Sequence, residues 1–116
     1  MLILHYPQCG TCRKALKWLE ANGFHPEKRH IVEERPTAEE LFQWIERSGL
    51  PVQKFFNTSG LIYKERGLKD VVKTAPSEEL ISLLAEEGKL VKRPLLVTDD
   101  KVLVGFKEEE WASTLL

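Results

Sequence analysis

Hydrophobic positions along this chain change period several times, and each change predicts an element. Met1 to Tyr6 is a nearly unbroken apolar run closed by Pro7, the pattern of a short buried strand. Cys12, Ala15, Leu16 and Leu19 then recur at helical spacing, predicting a helix from about Thr11 or Cys12 to Ala21. Asn22-Gly23 is its stop, with Gly23 suited to a left-handed cap. Glu27 to Val32 mixes charged and apolar residues and reads as a second strand. Thr37 and Glu40 have capping-box spacing ahead of Leu41, Trp44 and Ile45, and Gly49 with Pro51 ends the helix they open. From Val52 to Lys73 the pattern breaks into short pieces around Asn57-Thr58-Ser59-Gly60 and Gly67, which predicts small helices joined by turns. Ser77, Glu78 and Glu79 open a further helix that turns Leu80, Ile81, Leu83 and Leu84 inward, and Gly88 closes it. Pro94 to Val97 and Val102 to Val104 flank Thr98-Asp99-Asp100-Lys101, a hairpin signal, and Lys107 to Leu115 forms a terminal helix.

The order strand, helix, strand, several helices, hairpin, helix predicts an α/β fold. A right-handed strand-helix-strand unit joined by a returning hairpin gives a four-stranded mixed sheet with helices on both faces, the thioredoxin-like arrangement. Its halves are separated by a helical insertion, about Pro36 to Gly88, far longer than an ordinary crossover. The expectation is one domain over residues 1–116, with the insertion packed as a lobe over one end of the sheet near the cysteine turn.

Composition narrows the functional classes. At 116 residues and 42% hydrophobic the chain can build one core without staples. Lysine and arginine number 17 against 18 acidic residues, leaving a net charge of -1, so direct nucleic-acid binding and attachment to an anionic membrane are not expected. Leu2-Ile3-Leu4 is too short for a signal-peptide core, and no stretch approaches the ~20 apolar residues of a membrane span. A monomer in the cytoplasm is expected.

The candidate chemistry lies in Cys9-Gly10-Thr11-Cys12-Arg13-Lys14, where the first strand hands over to the first helix. A helix N-terminus offers unpaired N–H groups and the positive end of the helix dipole, so a thiolate at Cys9 is stabilised there. Cys12 falls on the helix's apolar stripe and is the more buried thiol, able to close a disulfide with Cys9. A permanent crosslink is disfavoured because so short a loop constrains the unfolded chain little. Zinc is disfavoured because there is one CxxC, and His25 and His30, although suitably spaced, lack a second cysteine cluster. Two inert buried thiols remain the third reading. Gly10 and Thr11 fit the turn, as a residue allowing close backbone approach and a small capping residue. Arg93 is either an anion ligand or a strand-end salt-bridge partner, Arg13 and Lys14 either ligands or a solvated helix face, and His5 either a site residue or a histidine satisfied at a strand end. Trp44, Trp111, Phe55 and Phe56 read as packing residues.

With these elements placed, four segments together are similar to the arsenate reductase-like family that also includes the redox regulator Spx. They are the Cys-Gly-Thr-Cys-Arg-Lys turn, Ser48-Gly49-Leu50-Pro51, Phe56-Asn57-Thr58-Ser59-Gly60, and Lys92-Arg93-Pro94-Leu95. The resemblance implies that Cys9 is the catalytic cysteine and that Cys12 stands where glutaredoxin-linked arsenate reductases carry serine and the Spx branch carries cysteine. It implies that Arg93 holds an oxyanion beside the nucleophile, that Pro94 is cis, and that His5 matches a histidine before the active-site turn. Two further family arginines fall at Asn57 and Gly105, and neither residue supplies the bidentate positive donors that activate an arsenate dianion. Efficient arsenate reduction is therefore not expected. The expected activity is a thiol-disulfide cycle with no bound cofactor, using glutathione, glutaredoxin or thioredoxin as electron donor, or reacting with a protein client. The alternative is an Spx-like redox-sensing module that docks on the C-terminal domain of the RNA polymerase alpha chain.

Overall fold

The computed structural model describes residues 1–116 as four strands and six α-helices. Strand β1 (Leu2–His5) leads into α1 (Gly10–Ala21), and β2 (Glu27–His30) returns parallel to β1. Helices α2 (Ala38–Ser48), α3 (Leu61–Glu65), α4 (Leu68–Thr74) and α5 (Ser77–Glu86) follow, with 3₁₀ turns at Val52–Phe55 and Gly88–Leu90. The hairpin β3 (Leu95–Val97) and β4 (Val102–Val104) then completes a mixed sheet of order β2-β1-β3-β4, and α6 (Glu108–Leu115) ends the chain. Pairing of β3 with β1 and with β4 is antiparallel. No helix is long and apolar enough to cross a membrane.

Strand alternation divides the apolar residues between two cores. Ile3, Leu96 and Leu103 point to one face, where Ala15 and Leu19 of α1 and Trp111 of α6 cover them. Leu4, Leu95, Val97 and Val102 point to the other, where they share one core with residues of the inserted segment, including Leu41, Trp44, Phe55, Phe56, Leu80 and Leu84. The insertion is thus not a lobe over one end of the sheet, because its apolar faces are what bury this entire side. Trp44, Trp111, Phe55 and Phe56 are all buried.

Local signals account for the boundaries with instructive exceptions. Thr37 and Glu40 form the capping box, each side chain bonding the other's backbone N–H. Gly49 and Gly23 take the left-handed conformation at the ends of α2 and α1. Ser77 does not cap α5. Pro76 occupies that position, where its missing N–H removes no helical bond, and Ser77 is the first helical residue. Gly88 does not cap it either; helix α5 ends at Glu86, and Gly88 is required because a Cβ there would overlap the carbonyl oxygen of Ile31. That contact joins the end of the insertion to the segment after β2.

Three arginines tie the insertion to the rest of the fold. Arg29 on β2 makes a bidentate pair with Glu40 at 2.7 and 2.8 Å and also donates to the carbonyls of Glu34 and Arg35. Arg35 donates to Ala85 O at 3.0 Å and Arg47 to Thr98 O at 2.8 Å. Arg29 is the principal cause of the low pKa of Glu40, about 2, with burial opposing it and the Thr37 backbone N–H assisting.

Candidate active site

A tight turn brings the chain from β1 into α1, with Cys9 N donating to Tyr6 O at 2.9 Å. Cys9 keeps extended backbone angles, φ -87° and ψ 117°, so it is the N-cap residue and its Sγ accepts from Cys12 N at 3.4 Å. The cap expected at Thr11 is therefore made by the thiol itself. One turn further in, Cys12 lies on the inner stripe with Ala15 and Leu19 and has no exposed surface. Cys9 is half-buried, and both are free thiols.

The two sulfurs are driven in opposite directions. Burial pushes Cys9 up, but the Cys12 thiol and backbone N–H beside it and the positive charge of Arg93 outweigh that and hold Cys9 below its ordinary value. Burial pushes Cys12 up to about 12; the Tyr6 backbone opposes this and the neighbouring Cys9 adds to it.

Cys9 opens on a groove of about 440 Å³ built from four segments. Thr11 belongs to the start of α1, Asn57, Ser59 and Gly60 to the turn before α3, Lys92 and Arg93 to the approach to β3, and Gly105, Phe106 and Lys107 to the exit from β4. Three cations and no carboxylate line the groove, and of these Arg93 acts on the thiol. Arg93 stacks its guanidinium 4.9 Å from the Tyr6 ring and donates to Lys89 O at 3.2 Å, an arrangement that orients the group while leaving most of its donors open. The Arg93-Pro94 bond is cis and Pro94 is buried. Gly105 has φ 73°, donates to Pro94 O and accepts from Trp111 Nε1 at 3.0 Å. A Cβ on Gly105 would come within 3.1 Å of Lys92 Cε, so the absent side chain leaves room for the lysine stem.

Sequence reasoning did not single out Lys92 or Lys107. Their signal was weak but present, since each adjoins a turn that the groove uses: Lys92 precedes Arg93-Pro94, and Lys107 follows Gly105-Phe106. Conversely, Arg13, Gly10 and His5, proposed from sequence, do not line the groove. Arg13 folds back to donate to Pro7 O at 2.9 Å, tying the first helical turn to the preceding bend. Gly10 is exposed beneath that guanidinium, where a Cβ would meet Arg13 at 3.8 Å. His5 pairs in register with His30, their rings 6.3 Å apart, and burial, then the His30 and Lys28 charges, lowers its pKa against a weaker opposing pull from Glu34. No group of three or more His, Cys, Asp or Glu side chains is placed to hold a metal ion.

A free thiol at a helix N-terminus, an arginine beside it, and a cis-proline preceding β3 are features against which relatives can be weighed. The profile of the ArsC family matches residues 4–114. The chain belongs to the ArsC family. Within it, the chain is 50% identical over 106 residues to the uncharacterized protein YusI of Bacillus subtilis, covering 91% of this chain and 90% of that one. It is 31% identical to the regulatory protein MgsR of the same organism, over 90% of this chain and 82% of MgsR. A crystal structure of a putative ArsC family related protein from Bacteroides fragilis superposes with a TM-score of 0.94 at 58% identity, covering 97% of this chain and 94% of the other. The ArsC-family fold is accordingly the thioredoxin-like one described above.

Proposed function

We infer that this ArsC-family chain is a thiol-disulfide oxidoreductase of the cytoplasm, with Cys9 as nucleophile and Cys12 as resolving thiol. The observation that carries the reading is the opposite electrostatic bias on two sulfurs one helical turn apart, the outer one facing a cationic groove. The Cys9 thiolate attacks one sulfur of a substrate disulfide, and the other sulfur leaves as a thiolate that takes up a proton. Cys9 is then neutral. Because the Cys9 charge is one of the causes that raise Cys12, forming the mixed disulfide lowers the barrier to deprotonating Cys12. Cys12 next loses its proton to solvent, attacks Cys9 Sγ and releases the remaining substrate half as a thiol, leaving a Cys9–Cys12 disulfide. A two-electron dithiol or two thiol equivalents, from thioredoxin, glutaredoxin or glutathione, restore both thiols.

Arsenate is a poor fit to the same groove. Asn57 and Gly105, which match two arginines of the family reductases, both line it and neither carries charge. The available cations are Arg93 and two lysines, and lysine acts on an oxyanion as a mobile point charge rather than a fixed fork.

The test is an NADPH-coupled assay offering hydroxyethyl disulfide and arsenate with each donor. Turnover of the disulfide and little of arsenate is expected, Cys12→Ser should accumulate mixed disulfides through Cys9, and Cys9→Ser should abolish the reaction. Arsenate turnover outpacing disulfide turnover would reverse the assignment. The similarity to MgsR supports a second reading, a redox-sensing regulator that docks on the C-terminal domain of the RNA polymerase alpha chain. Retention of that domain by one oxidation state of the cysteine pair and not the other would favour it.

A further inference from the structure

The inserted helices carry a second hollow, of about 580 Å³, whose walls have not entered the thiol chemistry. Its floor is apolar, made by Phe56, Tyr63 and Val72, and its rim carries Lys54, Lys69, Lys73 and Lys92. No acidic residue lines it, in a chain whose acidic residues slightly outnumber its lysines and arginines overall. None of the four lysines forms an ion pair; the chain's one salt bridge is Arg29–Glu40. Four like charges around a concavity create a positive potential that draws an anion into it.

A second observation points the same way. Tyr63 packs its ring near Phe56, centroids 6.5 Å apart, while its hydroxyl bonds to nothing within the chain and stays open to solvent. The residue belongs to the wall of the lysine-rimmed hollow, so its open hydroxyl is a donor available to a ligand there. Gln53, on the same wall, is held by its bond to Val72 O at 3.3 Å, so the 3₁₀ turn and α4 that frame the hollow are tied together.

We propose that this hollow is a binding site for a small organic phosphate with an aromatic portion, of the mononucleotide class. The volume falls in the range of small-molecule pockets, roughly 300–1,000 Å³. Lysines serve phosphate as point charges from several directions, and the Tyr63 hydroxyl adds a fixed donor among them. The apolar floor accommodates a base or other flat ring. An acidic peptide would satisfy the charge, but the exposed large apolar residues that a peptide-docking face would use, Phe42, Leu50 and Leu61, are not part of this hollow. The site is independent of the proposed oxidoreductase activity, although Lys92 borders both cavities.

The experiment is calorimetric titration of the full chain with ADP, pyrophosphate, adenosine and a hexaglutamate peptide, at low and at moderate salt. Saturable binding of ADP is expected, weaker for pyrophosphate and much weaker for adenosine, and weakened by salt. The double variant Lys69→Glu/Lys73→Glu, both positions exposed, should reduce ADP affinity by about tenfold or more while circular dichroism and the alkylation rate of Cys9 stay unchanged. Tyr63→Phe should cost about two- to fivefold with the fold intact. Lys92 is left alone because it also lines the thiol groove. No saturable ADP binding at millimolar concentration, binding indifferent to the charge reversal, or preference for hexaglutamate over ADP would each overturn the proposal.

Discussion

Two arginines, one at the junction of β2 with the insertion and one at the thiol groove, show how the same side chain is put to different ends. Arg29 has its guanidinium filled: two bonds to Glu40, two to backbone carbonyls, and the Trp44 ring 6.0 Å away. Arg93 is oriented by Tyr6 and one carbonyl, faces no carboxylate, and leaves its charge acting on Cys9. A saturated arginine stabilises the fold, whereas one held in place but unsaturated is available to an anion. The junction is closed on all sides, by Gly88 against Ile31 and by Arg35 on Ala85. The groove is a place where positive charge has been left without a partner.

That contrast can be broken first at the junction. Gly88→Ala forces a side chain into the Ile31 carbonyl and should lower unfolding free energy by about 3 kcal/mol, read by urea denaturation, with Cys9 alkylation unchanged. Arg29→Ala removes a bidentate pair and leaves Glu40 without its cation, an expected loss of about 2 kcal/mol, again with no effect on the thiol. Arg93→Ala should do the reverse: stability within about 0.5 kcal/mol of the parent, and a severalfold slower alkylation of Cys9 near neutral pH, since losing the guanidinium charge raises the thiol's pKa and leaves less thiolate. If Arg29→Ala slowed the thiol and Arg93→Ala unfolded the chain, the division of labour would be wrong.

The smallest effect is on pH dependence. The Glu40 pKa is lower in the folded chain than in the unfolded one, so its contribution is complete above the ordinary value of 4.5 and disappears as pH falls toward about 2. Because the pair is partly exposed, solvent screening limits the loss to about 1 kcal/mol. Denaturation midpoints between pH 5 and pH 2 should show this acid-side loss, and Glu40→Gln should flatten it.

Most of the fold was legible because its signals are local. The capping box at Thr37 and Glu40, the glycines at 23 and 49, and the Thr98 to Lys101 turn each announce an element from its own residues. What was not legible depends on residues far apart in sequence. Gly88 looks like any helix-ending glycine until Ile31 is seen against it. Spacing alone allows both Arg13 and Arg93 beside the thiol, and only the family resemblance favours Arg93; in the fold the backbone carbonyl of Pro7 captures the first and the Tyr6 ring presents the second to the groove. Lys92 and Lys107 enter the groove only because β3 and β4 bring their ends to the start of α1. The division between Cys9 and Cys12 was readable in advance, since helical spacing alone puts one on the apolar stripe and the other at the helix end.

The central claim is that this division makes Cys9 an activated thiolate and Cys12 a reserve thiol. Site-resolved mass spectrometry of iodoacetamide alkylation across pH 5 to 11 tests it directly. The account predicts a Cys9 midpoint below the ordinary thiol value of about 8.5, with Cys12 unmodified until far more alkaline pH. Equal rates and a shared midpoint at the two cysteines would contradict it.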